Sequence, residues 1–400
     1  MIKTPKLRFK EFSGDWEEKK LGTMGEFFKG STLSKAHLSE EGSPCVLYGE
    51  LYTKYGEVIK SVISKTDLED SKLVMSQKND VLIPSSGETA IDIATASCLQ
   101  QENVILGGDL NVFRSDKLNG VFTSYQLNNS KRHEIAKLAQ GASVVHVYNN
   151  QLSKLKLNVP SKEEQEKIAS FFSLIDDKIS LQCEKVEALK DYKKGMMQKI
   201  FSRELRFKDD DGRDYPEWEE KKLDKLIKVK SNRNKNNEVN LVLSVSNTKG
   251  FITQSEQFED RVVASSDVSN YKIVQKNDFA FNPARINVGS IARLKLYDKG
   301  IISPMYICFK CLDILESDYL EYFLMTHSFN VQMKKKLEGS VRQTLSAEAL
   351  CEIVIELPYI EEQKKIGEFL NTINAKLEKE QEKLGYLNEY KKGLLQQMFV

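Results

Sequence analysis

Four hundred residues, 40% apolar and 29% charged, are enough for two cores, since domains mostly run to about 100 to 200 residues, and they exclude a disordered chain. Fifty-nine basic and 58 acidic residues leave a net charge of +1, which excludes holding nucleic acid by bulk electrostatics alone, so any such surface must be local. No run of about 18 consecutive apolar residues occurs and Met1–Phe12 offers no apolar core for a signal peptide, which points to a cytoplasmic protein with no membrane partner.

From the amino end the chain reads Leu7-Arg8-Phe9-Lys10, then Trp16-Glu17-Glu18-Lys19-Lys20-Leu21, then a mixed region containing Gln77-Lys78-Asn79-Asp80, then Glu163-Glu164-Gln165 and Tyr192-Lys193-Lys194-Gly195. All of it returns. Leu205-Arg206-Phe207-Lys208, Gln275-Lys276-Asn277-Asp278, Glu361-Glu362-Gln363 and Tyr390-Lys391-Lys392-Gly393 each follow 198 residues after their counterparts. The Trp218–Leu223 motif follows at 202, a drift that a four-residue insertion within Asp209–Asp214 explains. Such a period is far longer than the roughly 20 to 50 residues of a solenoid. It describes two sister modules, and two sister modules suit a target with two parts.

Within each copy the mixed region holds short apolar runs, Val81-Leu82-Ile83, Phe279-Ala280-Phe281 and Ile301-Ile302, separated by Gly, Ser, Asn and Asp, the pattern of strands and turns. A helical stretch, Asp318–Leu337, interrupts it, so each module is α/β or α+β. The repeated Trp anchors the start of a domain, with its Glu-Glu-Lys-Lys run as solvated surface.

The last part of each copy is a heptad seam. Steps of four and three give Ile168, Phe172, Ile175, Ile179, Gln182, Val186, Leu189, Lys193, Met196 and Ile200, and in the second copy Ile366, Leu370, Ile373, Leu377, Glu380, Leu384, Leu387, Lys391, Leu394 and Met398. Four heptads of this pattern predict two supercoiling helices, each seam roughly 50 Å long at about 1.5 Å per residue. Pro160 and Ser161 before Glu164 fit a capped helix start, with Pro358 at the equivalent point. A helix that long overhangs a domain roughly 25 to 30 Å across, so the two helices should pack on each other, antiparallel and pseudo-twofold symmetric. Leu7–Lys10 should then lie against the end of the second helix, as Leu205–Lys208 follows the first. The chain divides into modules 1–158 and 204–356 and helices 159–203 and 357–400. Gln182, Lys193, Glu380 and Lys391 are candidates to fix the register.

No phosphate loop, dinucleotide-binding glycine motif, HExxH or GxSxG occurs, and none of His37, His133, His146 and His327 repeats. No catalytic constellation or metal site is expected. Cys308-x-x-Cys311 supplies half a zinc site at most and reads better as buried strand; the six scattered cysteines read as free thiols. Asn282-Pro283-Ala284-Arg285 only partly resembles the Asn-Pro-Pro-aromatic motif of amino-methyltransferases, lacking its second proline and its aromatic residue.

The copies differ most after their shared Gln-Lys-Asn-Asp. The first continues Val81-Leu82-Ile83-Pro84-Ser85-Ser86-Gly87-Glu88-Thr89 and the second Phe279-Ala280-Phe281-Asn282-Pro283-Ala284-Arg285-Ile286-Asn287. Arg grips guanine O6 and N7, Asn grips adenine N6 and N7, and Ser, Thr and Glu offer weaker or cytosine-directed contacts. Ser85, Ser86, Gly87, Glu88, Thr89, Arg285 and Asn287 are therefore candidate DNA contacts, although each residue also suits an ordinary capped turn. The densest basic segment, Lys225–Lys235, adds Lys230, Asn232, Arg233 and Lys235, with a solvated loop as the alternative.

In ordered double occurrence, Leu-Arg-Phe with Trp-Glu, a variable module, Val159-Pro160 or Leu357-Pro358 followed by Glu-Glu-Gln-x-Lys-Ile, a long helix and Tyr-Lys-Lys-Gly resemble the specificity subunit of type I restriction–modification systems along the whole chain. The resemblance implies two target recognition domains separated by two long antiparallel coiled-coil helices, reading a bipartite asymmetric site on double-stranded DNA. It implies partners: two modification subunits that bind S-adenosylmethionine and methylate adenine, and two restriction subunits that use ATP and Mg for translocation and cleavage. No cofactor is expected on this chain. A seam of about 50 Å compares with one to one and a half turns of B-DNA, near 34 to 36 Å each. A coiled-coil adaptor holding two peptide-binding modules, and an enzyme with diverged twin sites, are the rival readings.

Overall fold

The structure, a computed structural model, describes residues 4–141, 143–253, 267–339 and 343–400; the first three residues of Met1–Phe12 lie outside the described residues. The chain divides into two compact units, Met1–Glu184 with Glu382–Val400, and Lys185–Gln381. Each contains one mixed module and a stretch of both long helices.

In the first unit the apolar run after Asn79 becomes the strand Asp80–Pro84, buried throughout. It sits at the centre of a five-stranded sheet ordered Glu26–Lys29, Leu110–Arg114, Asp80–Pro84, Ser97–Leu99, Val58–Ile59. Because side chains alternate across a strand, Val81 and Ile83 pack with Leu21, Phe113 and Leu157, while Leu82 packs with Leu51, Leu99 and Leu106. A continuous apolar run rather than an alternating one is what a strand covered on both faces requires. The second unit repeats the device. Phe279–Phe281 sits in a sheet ordered Ile227–Lys230, Ile307–Cys311, Phe279–Phe281, Ile291–Arg293. Its Phe279 and Phe281 join Trp218 and Tyr319, and its Ala280 joins Leu243 and Ile302. Another sheet, ordered Gly250–Thr253, Val242–Ser246, Lys299–Ile302, Lys272–Gln275, completes that module.

The stretch Asp318–Leu337 is two helices, Ser317–Phe323 and His327–Lys335. Thr326 divides them, its Oγ1 accepting the Phe329 N–H at 3.2 Å as an N-cap. Cys308 is buried on the strand Ile307–Cys311 and the cysteines are free thiols. Among the described residues no group of His, Cys, Asp and Glu is placed to hold a metal, and no helix is long and apolar enough to cross a membrane.

The long helices are Lys162–Phe201 and Ile360–Met398. In the first unit Phe172 lies 5.8 Å from Phe399, centroid to centroid, and Asp176 lies 2.7 Å from Lys391, so the two helices run antiparallel. In the second, Lys185 meets Glu380 at 2.5 Å and Lys193 meets Asn374 at 2.7 Å, with the same sense. No apolar residue of either seam is exposed. The polar seam positions Lys391 and Lys193 lie over the rings of Tyr125 and Tyr322 respectively. Burial lowers the pKa of Lys193. For Lys391 burial acts the same way, but Glu57 and Asp176 outweigh it and the pKa is raised.

What joins helix to module is a buried ion pair, made twice. Arg8 Nε and Nη2 donate to Glu164 Oε1 and Oε2, both at 2.7 Å; Arg206 does the same to Glu362 at 3.3 and 3.0 Å. Both carboxylates are buried. Ser161 Oγ accepts the Glu164 N–H at 3.3 Å, but the expected return half of a capping box is replaced by the arginine. The adjoining glutamines finish the joint. Gln165 accepts from Asn119 N–H at 2.9 Å and donates to Pro160 O at 3.0 Å, and Gln363 accepts from Glu316 N–H at 2.8 Å and donates to Pro358 O at 2.9 Å. The Leu7 N–H donates to Gln397 O, as Leu205 N–H does to Lys199 O, each at 3.0 Å; Leu7 therefore lies against the end of the second helix.

Removing one partner of a buried pair strands the other charge, which costs about 3 to 5 kcal/mol. Urea unfolding of Arg8→Ala should shift the first unit's transition to lower denaturant by about that much, with Arg8→Lys intermediate because the bidentate geometry is lost. Unchanged midpoints would remove the pair from its supporting role.

Candidate nucleic-acid interface

The repeated Gln-Lys-Asn-Asp is a turn that launches each central strand. Asn79 and Asn277 take left-handed backbone, φ 74° and 69°, which Asn tolerates better than most residues. Asp80 and Asp278 then accept the N–H of Gln77 at 2.8 Å and of Gln275 at 2.7 Å. Each buried carboxylate takes a cation of its own unit: Arg114 reaches Asp80 with two bonds of 2.7 Å, and Lys230 reaches Asp278 at 2.5 Å. The frame is thereby fixed before the chain enters the segment in which the copies differ.

In the second unit that segment is a presenting turn. Asn282 N–H donates to Ser290 O at 3.0 Å and Ser290 N–H to Arg285 O at 3.1 Å, closing the loop. Asn282 is buried, its Oδ1 accepting the Ala284 N–H at 3.1 Å, so it is a structural residue. Ile286 is buried in the main core while Arg285, Asn287 and Val288 are exposed around it, on a 3₁₀ turn ended by Gly289 at φ 92°. Among the described residues neither Arg285 nor Asn287 has a side-chain partner.

The equivalent segment of the first unit is built differently. Ser85, Ser86 and Gly87 are buried, since Ser86 and Gly87 pair with His146 and Val145. Ser86 Oγ lies 3.0 Å from His146 Nδ1. Thr89 caps the short helix Ala90–Ile93 through Asp92. Of the five candidates only Glu88 and Thr89 are exposed, and Thr89 is committed to its cap. Burial raises the pKa of Tyr52, and Tyr48, Glu88 and Asp92 raise it further, which marks the helix Glu50–Thr53 as a neighbour of this loop.

The basic segment also separates. Lys230 is held at the start of the strand Phe279–Phe281, whereas Arg285 follows its end. Arg233 donates to Asn270 Oδ1 at 2.9 Å; Asn232 and Lys235 are exposed. Sequence reasoning passed over the turn Asn247-Thr248-Lys249, which abuts the Arg285 turn: a Cβ at Gly289 would sit 3.3 Å from Asn247 O. An Asn-x-x-Gly sequence after a β run was the available sign.

Two α/β modules of one design, each locked to a long helix and each carrying a different exposed loop on a common frame, define a duplicated recognition protein. The profile of the type I restriction modification DNA specificity domain matches residues 13–191 and 215–385, and the chain belongs to that family. The type I restriction enzyme MjaVIII specificity subunit of Methanocaldococcus jannaschii is 26% identical, the alignment covering 97% of this chain and 94% of the relative. The S subunit of the M. genitalium type I restriction–modification system shares the fold at a TM-score of 0.64 and 17% identity, over 99% of each chain. A chain from a structural study of type I complex assembly and conformational transition does so at 0.52 and 15% identity, covering 95% of this chain and 96% of its own. DNA specificity is thus the function of this family, and the adaptor reading is not favoured.

Because the Lys230 ammonium and Asp278 carboxylate are both largely buried, Lys230→Ala should destabilise the second unit by roughly 3 to 5 kcal/mol. Lys235→Ala, at an exposed site, should leave thermal unfolding unchanged within about 0.5 kcal/mol. Equal melting curves for the two variants would contradict the assignment of Lys230 to the frame.

Proposed function

We propose that this chain reads a bipartite, asymmetric DNA sequence, one block per module, and directs adenine methylation or restriction by partner subunits without chemistry of its own. Modules 1–158 and 204–356 are the two target recognition domains, and the helices 159–203 and 357–400 set the unspecified gap between blocks. Two modification subunits with S-adenosylmethionine and two restriction subunits using ATP and Mg complete the cytoplasmic assembly.

The observation that carries this reading is the second unit's presenting turn, with Arg285 and Asn287 exposed, and without a side-chain partner among the described residues, beside an otherwise anchored loop. Arg to guanine and Asn to adenine are bidentate contacts worth about 1 to 3 kcal/mol of discrimination each. Glu88 in the first unit is an acceptor, suited to the cytosine amino group, so the two blocks differ in chemistry. A net charge of +1 leaves much of the phosphate contact to the partner subunits.

Single-molecule sequencing of DNA from cells expressing the chain with its modification subunit should show methylated adenines in two short fixed blocks around a constant gap. Exchanging Gly22–Leu157 for the equivalent segment of a relative should change one block only. Arg285→Ala should relax the other block at one position by about ten- to a hundredfold. An active partner with no such motif would overturn the reading.

A further inference from the structure

In the second unit the strand Val242–Ser246 turns back at Asn247-Thr248-Lys249 into Gly250–Thr253, with Ser246 paired to Gly250. Gly250 takes φ 68°, the left-handed residue that a three-residue hairpin loop needs. Ser246 Oγ accepts the N–H groups of Thr248 and Lys249, both at 3.3 Å. The turn is therefore ordered by Ser246 and Gly250, and its three central side chains are exposed.

This turn is fastened to the Arg285 turn. Buried Ser290 donates its hydroxyl to Val245 O at 3.1 Å, and Gly289 packs on Asn247 O with no room to spare. The combined rim offers Asn247, Thr248, Lys249, Arg285, Asn287 and Val288. It holds two cations, three polar side chains able to meet base edges and one apolar side chain that is 54% exposed; none of these six is a carboxylate. Among the described residues Asn247 and Lys249 have no side-chain partner, which leaves both side chains available to a ligand. The first unit brings its equivalent segments together too: its strand Ser43–Val46 pairs parallel with Ile105–Leu106, as Val242–Ser246 does with Lys299–Ile302, and leads into the helix whose Tyr52 neighbours Glu88.

We infer that the hairpin turn Asn247-Thr248-Lys249 is a second reading element of the second module, with Asn247 and Thr248 contacting base edges, Lys249 a phosphate, and Val288 of the adjoining turn a thymine methyl. This rests on the DNA-reading function proposed above. Val and Thr methyls pack on the thymine C5-methyl, Asn and Thr bond to base edges, and Lys contributes a salt-dependent phosphate contact.

The test uses the full chain co-expressed with its modification subunit, and the methylated motif as readout. Asn247→Ala with Thr248→Ala should make the second module's block degenerate at one or two positions, about ten- to a hundredfold each, while the first module's block stays intact. Lys249→Gln should weaken binding of all sequences by the assembled complex and reduce the slope of log affinity against log salt by about one. Val288→Ala should cost selectivity at a thymine. Ser246 and Gly250 are untouched, and an unchanged first block together with an unchanged melting temperature certifies the fold. An unaltered second block and an unaltered salt slope would overturn the inference with the DNA-reading function still standing. Absence of any bipartite motif in the parent would overturn that function itself.

Discussion

The arrangement depends on a carboxylate buried at the first turn of each long helix. Glu164 and Glu362 are almost wholly removed from water, where a lone charge is costly, yet a negative group at a helix N-terminus suits the macrodipole. Arg8 and Arg206 resolve the conflict with two bonds apiece, each reaching its partner across 156 residues. The arginine belongs to the segment that opens a module and the glutamate to the helix that closes it. One pair therefore joins the two ends of a module and sets the direction in which the helix leaves. Register along the seam follows from that starting point, because the heptad rows begin at Ile168 and Ile366 just beyond the pair.

With the helix ends secured in this way, the loops are free to vary. Asp80 and Asp278 keep the same turn although one is held by an arginine from the strand Leu110–Arg114 and the other by a lysine from Ile227–Lys230. The frame tolerates a change of cation because what it needs is charge compensation for a buried carboxylate, not one side chain. Downstream, the first copy spends its segment on a strand pair and a capped helix, and the second on a closed turn. Both solutions leave the central strand undisturbed.

Much of this was legible in the chain. The seams were visible because 3.5-residue periodicity over several heptads is a one-dimensional signal, and Val81-Leu82-Ile83 and Phe279-Ala280-Phe281 were visible because buried strands are continuous apolar runs. Contacts between distant segments were not. The burial of Ser85, Ser86 and Gly87 depends on a partner strand, Val145–His146, about sixty residues away, and the loss of Lys230 to Asp278 depends on a sheet order that no local pattern encodes. The turn at Asn247 was legible as a turn, but its position against Arg285 follows from Ser290 bonding Val245 O and Gly289 packing against Asn247 O, contacts between segments about 45 residues apart. The ion pairs had a sign that went unread: both arginines stand the same distance before their glutamates in the two copies.

Duplication followed by divergence has acted unequally on the two kinds of charge in this molecule. Buried charges were conserved in role: each seam lysine still lies over a tyrosine, even though Lys391 is met by two carboxylates and Lys193 by the amide of Asn374. The variable loops carry exposed charges of opposite sign, Glu88 in the first copy and, one register position earlier, Arg285 in the second. A buried charge has few permitted replacements because its compensation must change with it, whereas an exposed one is surrounded by water and costs the fold little to exchange. Positions that are cheap for the fold are the ones available to a recognition surface, and a sign change there turns an acceptor of hydrogen bonds into a donor. Two modules with one frame and opposite loop chemistry are poorly suited to a palindrome and well suited to two unlike blocks of bases.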